Sequence, residues 1–259
     1  MIIDEDNPDI VFHSCFGKKI TNCQKGIKVF YTGENILPDY TTCDYSISFV
    51  RSDDKNLYLP LSIIDYKCHS IIPSEKEVLD RKFCNFVYNQ QGHYTGYRLR
   101  KIICELLMKY KHVDCPAKVM NNMTSPKLAN RYDKNWQQSK VEFLRDYKFT
   151  IAIENNNFDG YMTEKLLHPL MAGSVPIYWG SAGNTTPFSK DCMICVNDFD
   201  EFNDLLEYVK YVDNNDEEYL KLWSNNPLIK GTLPSYKQLF LDFIEKILDK
   251  GEKMCIIKP

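Results

Sequence analysis

Apolar and polar positions along this chain fall into two alternating patterns. Short β-rich apolar runs bounded by polar turns occur at DIVFHSCF (9–16), KVFYTG (28–33) and YSISFV (45–50), with a weaker one at YLPL (58–61). Each predicts a strand. After the charged stretch SEKEVLDRK (74–82), KFCNFVY (82–88) predicts another. Leu99, Ile102, Ile103, Leu106 and Leu107 recur at helical spacing and predict a helix over 98–110. Residues 116–138 are polar and irregular, the pattern of a surface loop, and Ser139 is set to cap a short helix ending near Tyr147. FTIAI (149–153) predicts a strand, 163–173 a helix, and VPIYWG (175–180) and CMICV (192–196) further strands. Helices are predicted at 200–214, 216–224 and 235–249. Strands alternating with helices throughout indicate an α/β protein with mainly parallel sheet.

The most informative segment is YKFTIAIENNNFDGYMTEKLLHPLMAGSVPIYWGS (147–181). FTIAI is the kind of apolar run that is buried on both faces of a sheet. Glu154, Asn155, Asn156 and Asn157 put a carboxylate and three amides where that strand ends. Thr163 is a good helix N-cap, and Gly173 a good helix stop. Strand, helix and strand in this order make a parallel crossover, and such sheets bind ligands beyond the carboxyl ends of their strands. The polar residues fall at that edge.

Composition narrows the function classes. The chain has 259 residues, 44% apolar and 26% charged, enough to bury a sizeable core in one large domain or two ordinary ones. A formal charge of −3 with no long basic run argues against a nucleic-acid partner. No apolar run approaches the roughly 20 residues that cross a bilayer, and the acidic start MIIDEDNPDI is the wrong chemistry for a secretory or mitochondrial signal. Ten cysteines are scattered along the chain. Cys192 and Cys195, in what reads as a strand, point to opposite faces and are poorly placed to share a metal. Buried thiols in a reducing compartment fit better. The sequons at Asn122 and Asn184 carry little meaning without a secretory signal. His13, His69, His93, His112 and His168 form no ligand spacing.

Two residues stand out on physical grounds. Glu34 follows a buried strand and Gly33, which puts it at the strand's carboxyl end facing a cleft; an exposed turn glutamate is the plain alternative. Lys165 lies in the first turn of its helix, where the dipole disfavours a cation, so a bound anion would account for it; a solvated surface lysine is the alternative.

The chain resembles the α1,3/4-fucosyltransferases. Their signature is a strand ending in Glu-Asn, then Tyr-x-Thr-Glu-Lys, then Val/Ile-Pro-x-x-x-Gly. Here these are Glu154-Asn155, Tyr161-Met162-Thr163-Glu164-Lys165 and Val175-Pro176-Ile177-Tyr178-Trp179-Gly180. The resemblance continues through CVNDFDEFNDLLEYVKYV (195–212) into Asn226-Pro227-Leu228, and VFYTGEN (29–35) is a second anchor upstream. It covers about 9–228.

The resemblance implies a GT-B fold of two facing Rossmann-like domains. The first, 1–79, would meet the acceptor and is shortened, because the family's first strand-helix unit is missing before Asp9. The second, 80–259, would hold GDP-fucose, with a C-terminal helix packing back across the cleft. It implies inverting transfer of L-fucose from GDP-β-L-fucose to a hydroxyl, the 3-hydroxyl of an N-acetylglucosamine-containing glycan. Glu34 would be the catalytic base, and Arg100 and Lys165 the grip on the diphosphate. Arg100, Leu107 and Val113 keep the family's spacing, although Arg98 lies two residues earlier. Glu164 would accept hydrogen bonds from ribose hydroxyls, and Asn155 and Tyr161 would line the donor. No metal or other cofactor is implied. A degenerate nucleotide-sugar or glycan-binding module, or a transferase using another nucleotide sugar, are the alternatives. The lack of an anchor fits a soluble bacterial protein, or a viral one in its host's cytosol, better than the Golgi members.

Overall fold

The computed structural model describes residues 8–16, 25–59, 73–130, 132–181, 188–226 and 236–255. The chain divides into two compact units. The first comprises Met1–Asp65, Asp159–Tyr161 and Pro234–Pro259, and the second Tyr66–Phe158 and Met162–Leu233. Residues 66–79 thus group with the second unit and the terminal helix with the first, whereas the sequence division falls between 79 and 80.

In the first unit, β1 (Ile10–Ser14), β2 (Ile27–Tyr31), β3 (Tyr45–Ser48) and β4 (Asn56–Tyr58) form a parallel sheet in chain order. The weak strand expected at 58–61 lies earlier, at β4, and positions 60 and 61 fall outside the described residues. Inside the sheet, Asn56 Oδ1 accepts from the hydroxyls of Ser46 at 2.6 Å and Ser48 at 2.8 Å. These buried polar groups therefore satisfy one another rather than weaken the core. The C-terminal helix, Tyr236–Cys255, lays an apolar stripe on this unit, with Phe240 stacked on Phe12 and Phe243 edge-on to Tyr45.

In the second unit, β5 (Lys82–Asn85), β6 (Val113–Asp114), β7 (Tyr147–Ile153), β8 (Val175–Trp179) and β9 (Ile194–Cys195) form a parallel sheet in the order β6-β5-β7-β8-β9. All seven residues of β7 are buried, as expected for a strand covered on both faces. Around the sheet run α1 (Glu75–Leu79), α2 (Thr95–Met108), α3 (Trp136–Leu144), α4 (Glu164–Ala172), α5 (Phe202–Asp213) and α6 (Asp216–Ser224). The core joins Ile103, Leu107, Phe149, Ile151, Ile153, Val175 and Ile177, none more than 2% exposed, to apolar residues of α5 and α6. The chain leaves β5 towards β6 and leaves β7 towards β8. The order therefore reverses between β5 and β7, and their carboxyl ends bound the crevice where open parallel sheets bind ligands.

Two expectations are corrected in the second unit, and one helix is new to it. The charged stretch 74–82 contains a helix, α1, held by a capping box in which Ser74 accepts from Glu77 N and Glu77 accepts from Ser74 N. Ser139 does not cap α3, which starts at Trp136 after Asn135. Its hydroxyl instead donates to Trp136 O and accepts from Ala129 N. CMICV is not one strand: 3-10 turns at Lys190–Cys192 and Val196–Asp198 flank the two residues of β9.

Candidate active site

The crevice edge of the second unit is built around β7. Its last residues continue into Glu154, whose N–H still pairs with Trp179 O at 2.8 Å. Glu154 is fully buried, and its carboxylate accepts from Thr163 N at 2.8 Å and from the Thr163 hydroxyl. Thr163 in turn caps α4 by accepting from Lys165 N. The strand end thus holds the helix start. Burial raises the Glu154 pKa, and Glu164 adds to this, while Lys165 and the Thr163 hydrogen bonds oppose it.

Two glycines allow this close packing. A Cβ at Gly96 would lie 1.8 Å from Glu154 O, because the start of α2 rests directly on the end of β7 and Gly96 N donates to Asn155 O. A Cβ at Gly180 would lie 2.7 Å from Glu154 Cγ. That docking also explains why α2 begins at Thr95, three residues before the position its apolar stripe indicates.

Arg100, on α2, is 3% exposed. Its Nε donates to Ile153 O at 3.1 Å and its Nη2 to Asn155 Oδ1 at 2.5 Å. The guanidinium lies 4.2 Å from the ring centre of Tyr88 and 4.5 Å from that of Tyr97, a cation–π sandwich. Arg98 is exposed, so of the two arginines left open by the sequence, Arg100 is the one held at the crevice.

Lys165 donates from Nζ to Thr163 Oγ1 at 3.0 Å and Glu164 Oε1 at 3.2 Å, and lies 3.5 Å from Glu154 Oε2. Burial would raise the Glu164 pKa, but Lys165, Lys140 and His168 overcome it and hold it at about 2. Glu164 is therefore a carboxylate at neutral pH, able only to accept hydrogen bonds. Arg100, Asn155, Glu164 and Lys165 are thus brought together in one unit. Glu34 and Tyr161 belong to the other. Glu34 is exposed in the turn after β2, its N–H bonded to Thr32 Oγ1 at 3.0 Å. Tyr161 is 2% exposed, its ring edge-on to Phe49 at 5.3 Å, which gives it a packing position.

Sequence reasoning missed Lys140 and gave His168 no role. Lys140, on α3, interacts electrostatically with Glu164, Lys165, Arg100 and Glu154. His168 packs against Trp136 with ring centres 5.9 Å apart, and its Nδ1 is buried with no partner among the described residues. Burial and Lys140 push its pKa down to about 3, so it is neutral. Trp136 was expected in a surface loop; it is instead the first residue of α3. A lysine inside an ordinary-looking helix carries no sequence signal beyond its position opposite the Thr163-Glu164-Lys165 turn, which only the packing of α3 on α4 reveals.

Among the described residues, no group of three or more His, Cys, Asp or Glu is arranged to hold a metal ion. Among the same residues, no helix is long and apolar enough to cross a membrane. The sequon at Asn184 lies outside the described residues.

Comparison with known proteins agrees with this architecture. The C-terminal model of glycosyltransferase family 10 (fucosyltransferase) matches residues 77–238, and the N-terminal domain of α-(1,3)-fucosyltransferase FucT matches residues 1–66. The α-(1,3)-fucosyltransferase FucT of Helicobacter pylori is 26% identical over 93% of this chain and 57% of its own length. A GDP-fucose protein O-fucosyltransferase 3 of Xenopus tropicalis is 35% identical over 44% of this chain and 25% of its own length. The chain therefore spans little more than half of the first relative and a quarter of the second. The crystal structure of an α1,3-fucosyltransferase with GDP-fucose superposes with a TM-score of 0.71 at 27% identity, covering 94% of this chain and 79% of that one. The parallel α/β units are of the GT-B type expected from sequence. With its family model matched over more than half of its residues, the chain belongs to glycosyltransferase family 10, the fucosyltransferases.

Proposed function

We propose that this chain transfers L-fucose from GDP-β-L-fucose to a hydroxyl with inversion. The acceptor oxygen attacks the anomeric carbon, the bond from that carbon to the diphosphate oxygen breaks, and GDP leaves from the opposite face. Glu34 takes the hydroxyl proton. Arg100 and Lys165 neutralise the charge that develops on the diphosphate, and Glu164 and Asn155 contact the nucleotide sugar. The neutralising charge comes from side chains rather than from a metal ion.

The observation that carries this reading is the convergence of Arg100, Asn155, Glu164 and Lys165 beside the β5–β7 crevice. Two cations, a helix N-terminus and a carboxylate that stays ionised make a chemically suitable site for a nucleoside diphosphate and its ribose. The family match and the likeness to a GDP-fucose-bound transferase support the choice of donor. The 3-hydroxyl of an N-acetylglucosamine-containing glycan is the proposed acceptor. A protein hydroxyl is the second reading, favoured by the likeness to the Xenopus protein.

The test is GDP release from GDP-fucose with lactose, N-acetyllactosamine, N-acetylglucosamine or a protein acceptor. Acceptor-dependent release of an α-linked product is expected. Glu34→Ala should cut the rate by about 10²–10⁴-fold with GDP binding kept. Full activity in that variant, or a β-linked product, would sink the mechanism. GDP binding without turnover on any acceptor would favour a non-catalytic donor-binding module.

A further inference from the structure

The fold puts a third cation beside the two expected at the donor site. Helix α3 runs along α4, with Trp136 edge-on to His168. Lys140 is one turn on from Trp136, and Glu164 is one turn back from His168, so Lys140 lies over the first turn of α4. Its charged surroundings are Glu164 and Lys165 of α4, Arg100 of α2, and Glu154 at the end of β7, and the neutral His168 is the other titratable group facing it from α4.

We infer that Lys140 is a diphosphate-binding residue of the donor site, completing with Arg100 and Lys165 a three-sided cationic cradle on α2, α3 and α4. This deepens the reading proposed above and rests on it for the identity of the ligand.

Both carboxylates in the cluster lie within ion-pair distance of Lys165, Glu154 at 3.5 Å and Glu164 at 3.2 Å. Among the described residues Lys140 has no carboxylate at ion-pair distance. The partners of Arg100 are a carbonyl and an amide, neither of them charged. Two half-buried or buried cations thus share a low-dielectric region with a third, and only two carboxylates oppose them, one of which burial drives towards its neutral form. Such an excess is costly in an empty site and favourable once an anion enters. A diphosphate, with charge spread over several oxygens, suits three cations on three elements better than a single carboxylate would.

The same crowding lowers the Lys140 pKa to about 8, burial first and its cationic neighbours next, with Glu164 opposing. Protonated Lys140 binds the anion and neutral Lys140 does not. Affinity should therefore be highest below about pH 8 and fall as pH rises through that value.

The test is calorimetry with inorganic pyrophosphate and with GDP, on wild type, Lys140→Met and Lys140→Arg, at pH 7 and pH 9. Lys140→Met should weaken both ligands by about tenfold or more at pH 7. Wild-type affinity should drop between pH 7 and 9, and Lys140→Arg should hold its affinity across that range. Thermal melting checks that Lys140→Met folds, and removing a crowded cation should leave it at least as stable. Unchanged pyrophosphate affinity in a folded Lys140→Met, or the same pH fall in Lys140→Arg, would overturn the assignment. Lys140-dependent pyrophosphate binding without turnover of GDP-fucose would sink the transferase reading alone. Turnover with Lys140-independent binding would sink this inference alone, and no pyrophosphate or GDP binding by wild type would sink both.

Discussion

Arg100 donates from Nη2 to Asn155 Oδ1 at 2.5 Å, which ties helix α2 to the turn after β7. Because Nε is also fixed on Ile153 O, the guanidinium is orientated before any ligand arrives. Among the described residues Nη1 has no partner and is available to a phosphate oxygen. A planar fork can do this while sandwiched between Tyr88 and Tyr97; an ammonium cannot.

Arg100→Lys should therefore weaken GDP binding by about ten- to a hundredfold although the charge is kept. Arg98→Ala, at an exposed position, should bind GDP as wild type does. Calorimetry on the pair decides between the two arginines, and the reverse order of effects would reassign the grip to Arg98.

Gly96→Ala should destabilise the second unit. The added methyl meets Glu154 O at 1.8 Å, and backbone on both sides has to move. Overpacking of this kind costs about 1–3 kcal/mol. The shift would separate Arg100 from Asn155, so GDP affinity should fall together with the melting temperature. An unchanged melting curve would show that α2 is not docked on β7 as closely as described.

These two variants bear on how much could be read in advance. Period-two and helical patterns suffice for β1, β2, β3, β5, β7 and β8 and for α2, α4, α5 and α6, because those elements bury one clear apolar face or two, whereas β4 and the two-residue β6 are too short to carry such a pattern. The start and end of α4 were legible because Thr163 and Gly173 are local signals. The short helix α1 was legible in principle from Ser74 and Glu77, but its charge hid it. Neither the docking of Gly96 on Glu154 nor the approach of Lys140 to Glu164 leaves a local mark, since each depends on which elements pack together. Glu154 shows the same limit: its residue type suggested a ligand-facing carboxylate, while its bonds to Thr163 make it a brace for α4.

His168 should make the protein acid-sensitive. Its folded pKa is about 3 against an ordinary value of 6.5, with burial the first cause and Lys140 the second. As pH falls below 6.5 the unfolded chain takes up a proton that the folded chain refuses, so stability declines until pH approaches 3. Glu164, held at about 2, is ionised in the folded state and adds a further loss only below its ordinary value of 4.5. Between pH 7 and pH 5 the His168 contribution should be about 2 kcal/mol. His168→Leu should remove that part of the slope in denaturant titrations at the two pH values. An equal slope in the variant would show that the imidazole already charges freely.

The central claim is that a nucleoside diphosphate binds at the start of α4, and Lys165 is its most direct probe. GDP binding should be measured by calorimetry on wild type and Lys165→Ala, with melting curves to confirm folding. The account predicts saturable GDP binding by wild type and a loss of at least about tenfold in the variant. Equal GDP affinity in a folded Lys165→Ala, or no GDP binding by wild type, would contradict it.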